Sequence, residues 1–215
     1  MYCPTRFFEV STKWVQLRSV DFNDYLLIRN GEYLPRWLSS MTSLTELQMR
    51  QCWSRAGMSA TLLAAIPTQL EVLNLSHNSL EIQPPFCEVL SRMTNLQKLD
   101  MSSCNLLDRD MALLAPSLAN CHALTWLSLR GSRIKSVVDL VPLVRGLSQL
   151  EHLDLGLCEF ADHQVAELVR SLYDHHHLTS LDLSHNTLDD ESGQALVDLP
   201  RLLRLEEVGY ITRNR

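Results

Sequence analysis

The sequence predicts an α/β solenoid: short parallel strands stacked as one sheet on a concave face, with helices on the convex face of a horseshoe. Three observations predict it. First, the stretch LEHLDLGLCEF places Leu150, Leu153, Leu155, Cys158 and Phe160 in a fixed apolar frame. Second, that frame returns at Leu44, Leu70, Leu96, Leu124 and Leu178, so that with Leu150 the steps are 26, 26, 28, 26 and 28 residues. Periods of this size mark stacked repeats, each a supersecondary unit that cannot bury its apolar face alone. Third, the position that closes each strand frame reads Cys52, Asn78, Cys104, Ser132, Cys158 and Asn186. Such side chains bond the backbone where the chain leaves a strand, so that no buried polar group is stranded.

Each unit follows from the same physics. Alternation at Leu153 and Leu155 puts both side chains on one face of a strand. A helix then closes the core over that face. Residues 1–16 are expected to cap the open end of the core through Phe7, Phe8 and Trp14, because a terminal repeat lacks a neighbour. The repeat domain is expected over 17–205, with about seven repeats. A degenerate first unit carries Leu17, Val20 and Phe22, followed by a helical face of Leu34, Trp37, Leu38 and Met41. The second unit, LTELQMRQC, departs from the frame at Ser54, and its helix is expected over 59–66, stopped by Pro67. The third, LEVLNLSHNSL, has Pro84 and Pro85 at a helix start, where a missing N–H costs little; Val89, Leu90 and Met93 face inward. The fourth, LQKLDMSSCNL, supplies Met111, Leu114 and Leu118. The fifth, LTWLSLRGSRI, supplies Leu140, Leu143 and Leu147. The sixth is the stretch quoted above, followed by Val165, Leu168 and Leu172. The seventh, LTSLDLSHNTL, supplies Leu196 and Leu199. A partial unit begins at Leu202 and Leu205, the frame is lost at Glu207, and residues 206–215 read as a tail.

Composition narrows the function classes. The chain has 215 residues, 46% hydrophobic and 20% charged, as a soluble folded protein does. Its net charge of −6 speaks against general nucleic-acid binding, which needs clustered Lys and Arg. The opening MYCPTRFFEV has no basic region followed by a signal-length apolar run. No apolar run reaches about 18 residues, so no membrane span is expected. Cys52, Cys104 and Cys158 lie two repeats apart, roughly 10 Å, beyond the reach of a disulfide. They read as reduced buried thiols, and the compartment as cytosol or nucleus. Asn74-Leu75-Ser76 is a formal sequon, but it lies within a predicted strand.

Alternating Cys and Asn at the closing position, in units of about 28 residues with a full helix each, resemble the ribonuclease-inhibitor-like class of leucine-rich repeats. That class includes the sensor ends of cytosolic NOD-like receptors, Ran GTPase-activating proteins and PRAME-like proteins. The segment DMALLAPSLANCHALTWLSLRGSRI, Asp110 to Ile134, is similar to a late repeat of the PRAME-like family. The resemblance implies a non-enzymatic module that binds a protein, an intracellular adaptor or recognition subunit such as a ubiquitin-ligase substrate receptor. The same class also implies, as alternatives, a regulator of an enzyme (a GTPase activator or an enzyme inhibitor) or the ligand-sensing part of a NOD-like receptor.

The residues between the strand leucines define the candidate face. Three stripes cross it: Glu46, Val72, Lys98, Trp126, His152, Ser180; then Gln48, Asn74, Asp100, Ser128, Asp154, Asp182; then Arg50, Ser76, Ser102, Arg130, Gly156, Ser184. Trp126 is the expected anchor, since interface hot spots favour Trp, Tyr and Arg. Arg130 is expected to pair with an acidic group of a partner. The candidate partner-binding set is Lys98, Asp100, Trp126, Arg130, His152, Asp154 and Asp182. Residues 136–200 hold twelve acidic residues against two basic ones, a flank that would steer a basic partner. Six of the eight histidines lie between His152 and His185, so mild acid is expected to weaken such attraction.

Catalytic and metal readings are weaker than structural ones. Consecutive His175, His176 and His177 cannot all face one ion in a regular element, and read as a turn before the strand at Leu178. Cys158 turns inward in the frame while His152 turns outward, so the two cannot cooperate as a nucleophile pair. Trp14, Trp37 and Trp53 read as core or cap residues. No catalytic residue, metal site or cofactor is expected, and the protein is expected to be a monomer or part of a hetero-complex.

Overall fold

The computed structural model describes residues 15–24, 33–52, 58–202 and 207–208. Within them lies a parallel sheet of β1 (Ser19–Asp21), β2 (Glu46–Gln48), β3 (Val72–Asn74), β4 (Lys98–Asp100), β5 (Trp126–Ser128), β6 (His152–Asp154), β7 (Ser180–Asp182) and β8 (Glu207–Val208), paired in chain order. Parallel neighbours need a crossover. Between β1 and β8 the crossovers carry α1 (Tyr33–Ser39), α2 (Ala60–Leu63), α3 (Pro84–Ser91), α4 (Asp108–Leu118), α5 (Leu140–Gly146), α6 (Asp162–Ser171) and α7 (Asp190–Leu202). Sheet on one side and helices on the other make an α/β repeat solenoid.

The register is the one the leucine frame demands. Val20, Leu47, Leu73, Leu99, Leu127, Leu153 and Leu181 pair in one row across the strands. All are buried in one continuous core with most frame leucines and inward helix residues, while Leu17, Leu80, Leu188 and Leu196 are half-buried against it. Each buried leucine contributes roughly 1.5–3 kcal/mol. A one-residue slip would turn that whole row to solvent, so the register is strongly specified.

The exit from each strand repeats as well. Gln51, His77, Ser103, Gly131, Leu157 and His185 all take the left-handed backbone, with φ between 52° and 68°. For residues with a Cβ that conformation costs roughly 1–2 kcal/mol. It is offset by an inter-repeat hydrogen bond: the N–H of His77 donates to the Ser102 carbonyl at 2.8 Å, and that of Leu157 to the Ser184 carbonyl at 2.8 Å. The turn aims the next side chain inward. Asn186 Oδ1 accepts from the N–H groups of Cys158 and Phe160, both at 3.1 Å, while its Nδ2 donates to the Leu155 and Leu183 carbonyls. Asn78 does the same between Cys52 and the Met49 and Leu75 carbonyls. Where Cys or Ser stands instead, Cys104 Sγ donates to the Leu75 carbonyl and Ser132 Oγ to the Leu129 carbonyl.

Two boundaries differ from expectation. The frame is not lost at Glu207: Glu207 pairs with Ser180 and Val208 with Leu181, so an eighth strand extends the sheet into the segment read as a tail. The matching sequence signal is Leu205, which stands 27 residues after Leu178. The second helix is shorter than the expected span, Ala60–Leu63, with Ser59 as its N-cap accepting from the Leu62 N–H. Its remaining residues to Ile66 form turns ahead of Pro67. The expectations for Phe7, Phe8, Trp14, Trp53 and Ser54 lie outside the described residues.

Candidate interaction face

The stripes read from the sequence are real rows. Lys98 pairs with Trp126, Trp126 with His152, and His152 with Ser180, while Asp100, Ser128, Asp154 and Asp182 form the next row. All lie on the sheet face opposite the leucine row. Trp126 is half-buried because its indole stacks on the His152 imidazole, with ring centroids 5.0 Å apart and planes 3° from parallel. Adjacent strands lie about 4.8 Å apart, so two rings standing on neighbouring strands meet face to face. The stack holds Trp126 in place while Lys98 beside it stays exposed.

The aspartate row has a local role that the sequence reading missed. One oxygen of each carboxylate accepts the N–H two residues on: Asp100 from Ser102 at 2.9 Å, Asp154 from Gly156 at 3.0 Å, Asp182 from Ser184 at 2.8 Å. Asn74 closes the same turn onto Ser76 at 2.9 Å. Short polar side chains of this kind bond their own backbone two residues on and so shape the strand exit. The signal was present in the recurring Asn or Asp two residues before a small residue.

Arg130 does not point at an absent partner. Its Nη1 donates to Asp182 Oδ2 at 2.6 Å, to Ser184 Oγ at 3.2 Å and more loosely to Asp154 Oδ1 at 3.5 Å. The side chain therefore reaches across two strands. It does so because the intervening residue in its row is Gly156: a Cβ there would lie 2.2 Å from Arg130 Nη1 and 3.0 Å from Ser184 Oγ. Burial pushes the Asp182 carboxyl up, but the Ser184 hydroxyl and N–H and the Arg130 guanidinium outweigh it and hold it below its usual range. Ser128 Oγ donates to the second oxygen of Asp154 at 3.2 Å. Asp100 is left with no cation within 4.0 Å among the described residues. Of the seven predicted residues, then, Arg130, Asp154 and Asp182 are bound to one another, and Lys98, Asp100, Trp126 and His152 form the accessible patch.

Three buried thiols are held in their protonated form. Burial raises Cys104 and Cys158 to about 12 and Cys121 to about 11, and Cys158 donates to the Leu129 carbonyl from the core side, away from His152. His175 to His177 form the turn before β7, with His175 buried and the other two exposed. No group of three or more metal-ligating side chains gathers among the described residues. No helix among them is long and apolar enough to cross a membrane.

These features define a class: a parallel repeat solenoid with one open strand face. Comparison with known proteins gives the family. A family model for leucine-rich repeats in two copies matches residues 68–114, and one for a single leucine-rich repeat matches 174–197. The chain is a leucine-rich repeat protein. It is 28% identical to NLR family CARD domain-containing protein 4 of Bos taurus over 96% of its own length and 24% of that protein. It is 32% identical to tubulin-specific chaperone E of Danio rerio over 67% of its length and 22% of that protein. The chain thus spans about a quarter of the length of these curated relatives. Among solved structures, an internalin C2 of Listeria monocytogenes has a TM-score of 0.59 at 19% identity, covering 94% of this chain and 84% of that one. A leucine-rich repeat protein of Leptospira interrogans has a TM-score of 0.55 at 20% identity, covering 96% and 52%. At these identities the likeness establishes the fold. Proteins of this family and fold are typically non-enzymatic interaction modules.

Proposed function

We propose that the protein is a recognition subunit that holds a segment of another protein on its concave strand face, centred on Trp126. The observation that carries this reading is the Trp126–His152 stack. An ordered aromatic pair on an accessible strand face, with Lys98 on one side and Asp100 in the next row, offers apolar area with charge beside it. Hot spots are built this way, and a stacked ring loses little entropy on binding. Asp100 and the acidic repeats beyond it favour a basic segment. We place the protein in the cytosol or nucleus, consistent with five buried free cysteines among the described residues. The resemblance of residues 110–134 to PRAME-like repeats supports the finer reading of a ubiquitin-ligase substrate receptor.

A second reading has its own observation. The match to an NLR family protein runs over 96% of this chain, which supports a ligand-sensing repeat region of that kind. Both readings use the same face. The test is affinity capture from cell extract with wild type and Trp126→Ala, followed by reconstitution of the captured protein in pure form. Removing a hot-spot tryptophan costs about 2 kcal/mol or more, so affinity should fall roughly 30-fold with the fold intact. Equal affinity would remove Trp126 from the site. Capture of a ligase scaffold together with its substrate supports the receptor reading.

A further inference from the structure

Of the strand exits from Gln51 to His185, Leu157 alone carries a large apolar side chain, and it is 46% exposed. The strand period would turn it to the core with Leu153 and Leu155. The left-handed backbone, φ 56°, turns it out instead and sends Cys158 inward. The fold does not require leucine there, since equivalent positions hold Gln51, His77, Ser103, Gly131 and His185. Leucine also suits that conformation poorly, whereas Gly, Asn, Asp and His adopt it more readily. Solvent exposure and backbone strain therefore meet on this residue without serving the repeat.

Its position makes it part of the strand face. The parallel ladder runs on past β5 and β6: the Gly131 N–H donates to the Gly156 carbonyl and the Leu157 N–H to the Ser184 carbonyl, both at 2.8 Å. A Cβ on Gly131 would stand 3.6 Å from Ser103 Cα, so side chains at these exits lean over the preceding repeat. By the same geometry Leu157 leans over Gly131, which has no side chain to cover it. Gly131 follows Trp126 by five residues on one strand path. Trp126 and Leu157 are thus apolar points at the two ends of one strip. Between them lie Ser128 and Arg130, with Asp100 and Asp154 flanking Ser128 in its row. Carboxylates outnumber cations along the strip: Asp100, Asp154 and Asp182 stand against Arg130, with Lys98 beside Trp126. Arg130 is given to Asp182 at 2.6 Å and only loosely to Asp154 at 3.5 Å. Asp100 and Lys98 have no ion-pair partner within 4.0 Å among the described residues.

We propose that this strip takes an extended segment of a protein partner, lying along the strands, with apolar, basic and apolar side chains at alternate positions. The proposal rests on the strand-face reading above and adds Leu157 as its second anchor. Side chains of an extended segment recur on one face every two residues, about 6.6 Å, the same step as the rows at Trp126, Ser128 and Arg130. The first apolar side chain lies on the Trp126–His152 stack. The basic one stands over the small, buried Ser128, between Asp100 and Asp154. The third passes Arg130 and packs against Leu157. A helix repeats its face about every 5.4 Å and drifts out of step with the rows. An acidic side chain at the centre would face the carboxylates of the aspartate row.

The test is fluorescence anisotropy of a labelled peptide with Leu, Arg and Leu at alternate positions between serines, titrated with the full chain. Saturable binding is expected, roughly tenfold weaker for Trp126→Ala and about threefold or more weaker for Leu157→Asn. Asparagine suits the left-handed backbone, so Leu157→Asn should melt no lower than wild type. Should it melt early, the peptide variants decide on the wild-type protein. Glu in place of the central Arg should weaken binding about tenfold or more. An extra serine before the second Leu turns that side chain to the other face and should weaken binding as much as Leu157→Asn does. Absence of saturable binding, equal affinity of Leu157→Asn in a folded protein, or indifference to the extra serine overturns the proposal. So does tighter binding of a helical peptide with the same side chains at helix spacing. If Trp126→Ala still weakens binding of the reconstituted partner in any of these cases, the strand-face reading stands without the second anchor; if it does not, both fail.

Discussion

Gly156→Ala is the sharpest probe of how the strand face is built. The added Cβ would stand 2.2 Å from Arg130 Nη1, so the guanidinium must leave. What is lost is the 2.6 Å contact to Asp182 and the 3.2 Å contact to Ser184. Hydrogen bonds to charged groups contribute roughly 1.5–3 kcal/mol, reduced here because the Arg130 side chain is 31% exposed. The expected cost is about 1–2 kcal/mol, or roughly 2–8 °C in Tm for a chain of this size. In an Arg130→Ala background the closest obstruction is gone, and only Ser184 Oγ at 3.0 Å must shift by a few tenths of an ångström. Gly156 is not at positive φ, so alanine there should cost far less than in wild type, the tight contact being offset by up to about 1 kcal/mol through the unfolded chain. The assay is urea unfolding of the four proteins of the double-mutant cycle, with a coupling of at least about 1 kcal/mol expected. The same destabilisation by Gly156→Ala in both backgrounds would refute the crossing arginine.

Two further predictions concern the core. Leu153→Asp sets an unpaired charge into the buried row and should cost about 5 kcal/mol or more, seen as loss of the cooperative transition in circular dichroism; an unchanged melt would break the register. His175 is buried with no hydrogen bond of good geometry to either ring nitrogen. Desolvation lowers its pKa from 6.5, over the opposing pull of the Val144 backbone and Asp174, with His176 and His177 adding to the lowering. Its neutral form is therefore the native one. That stability is fully present above about pH 6.5 and is lost as pH falls below it, by up to about 1.4 kcal/mol per unit until the native pKa is reached. Melting temperature should drop between pH 7 and 5.5 in wild type and less in His175→Leu; parallel pH profiles would contradict this.

The fold was legible because a solenoid writes its register into the chain. Leu73, Leu99, Leu127 and Leu153 recur at near-constant spacing, and each must meet its neighbour or be exposed. The eighth strand was missed because Val208 stands where leucine recurs and two glutamates precede it, so the apolar signal fades while the spacing from Leu178 to Leu205 persists. The interaction face was legible only as rows. That Trp126 stacks on His152 follows from the row and the strand spacing. That Arg130 reaches Asp182, 52 residues away, depends on Gly156 leaving room between them, which no local pattern announces.

The strand face, with Trp126 at its middle, is the surface proposed to receive the partner. A photo-crosslinking residue placed at Lys98 and at Ser180 on that face, and at Glu167 and Pro116 on exposed helix positions, tests it directly. Covalent capture of the partner from the Lys98 and Ser180 positions, and none from the helix positions, is the result expected. Crosslinks from Glu167 or Pro116 with none from the strand face would place the partner on the wrong side of the solenoid and contradict the account.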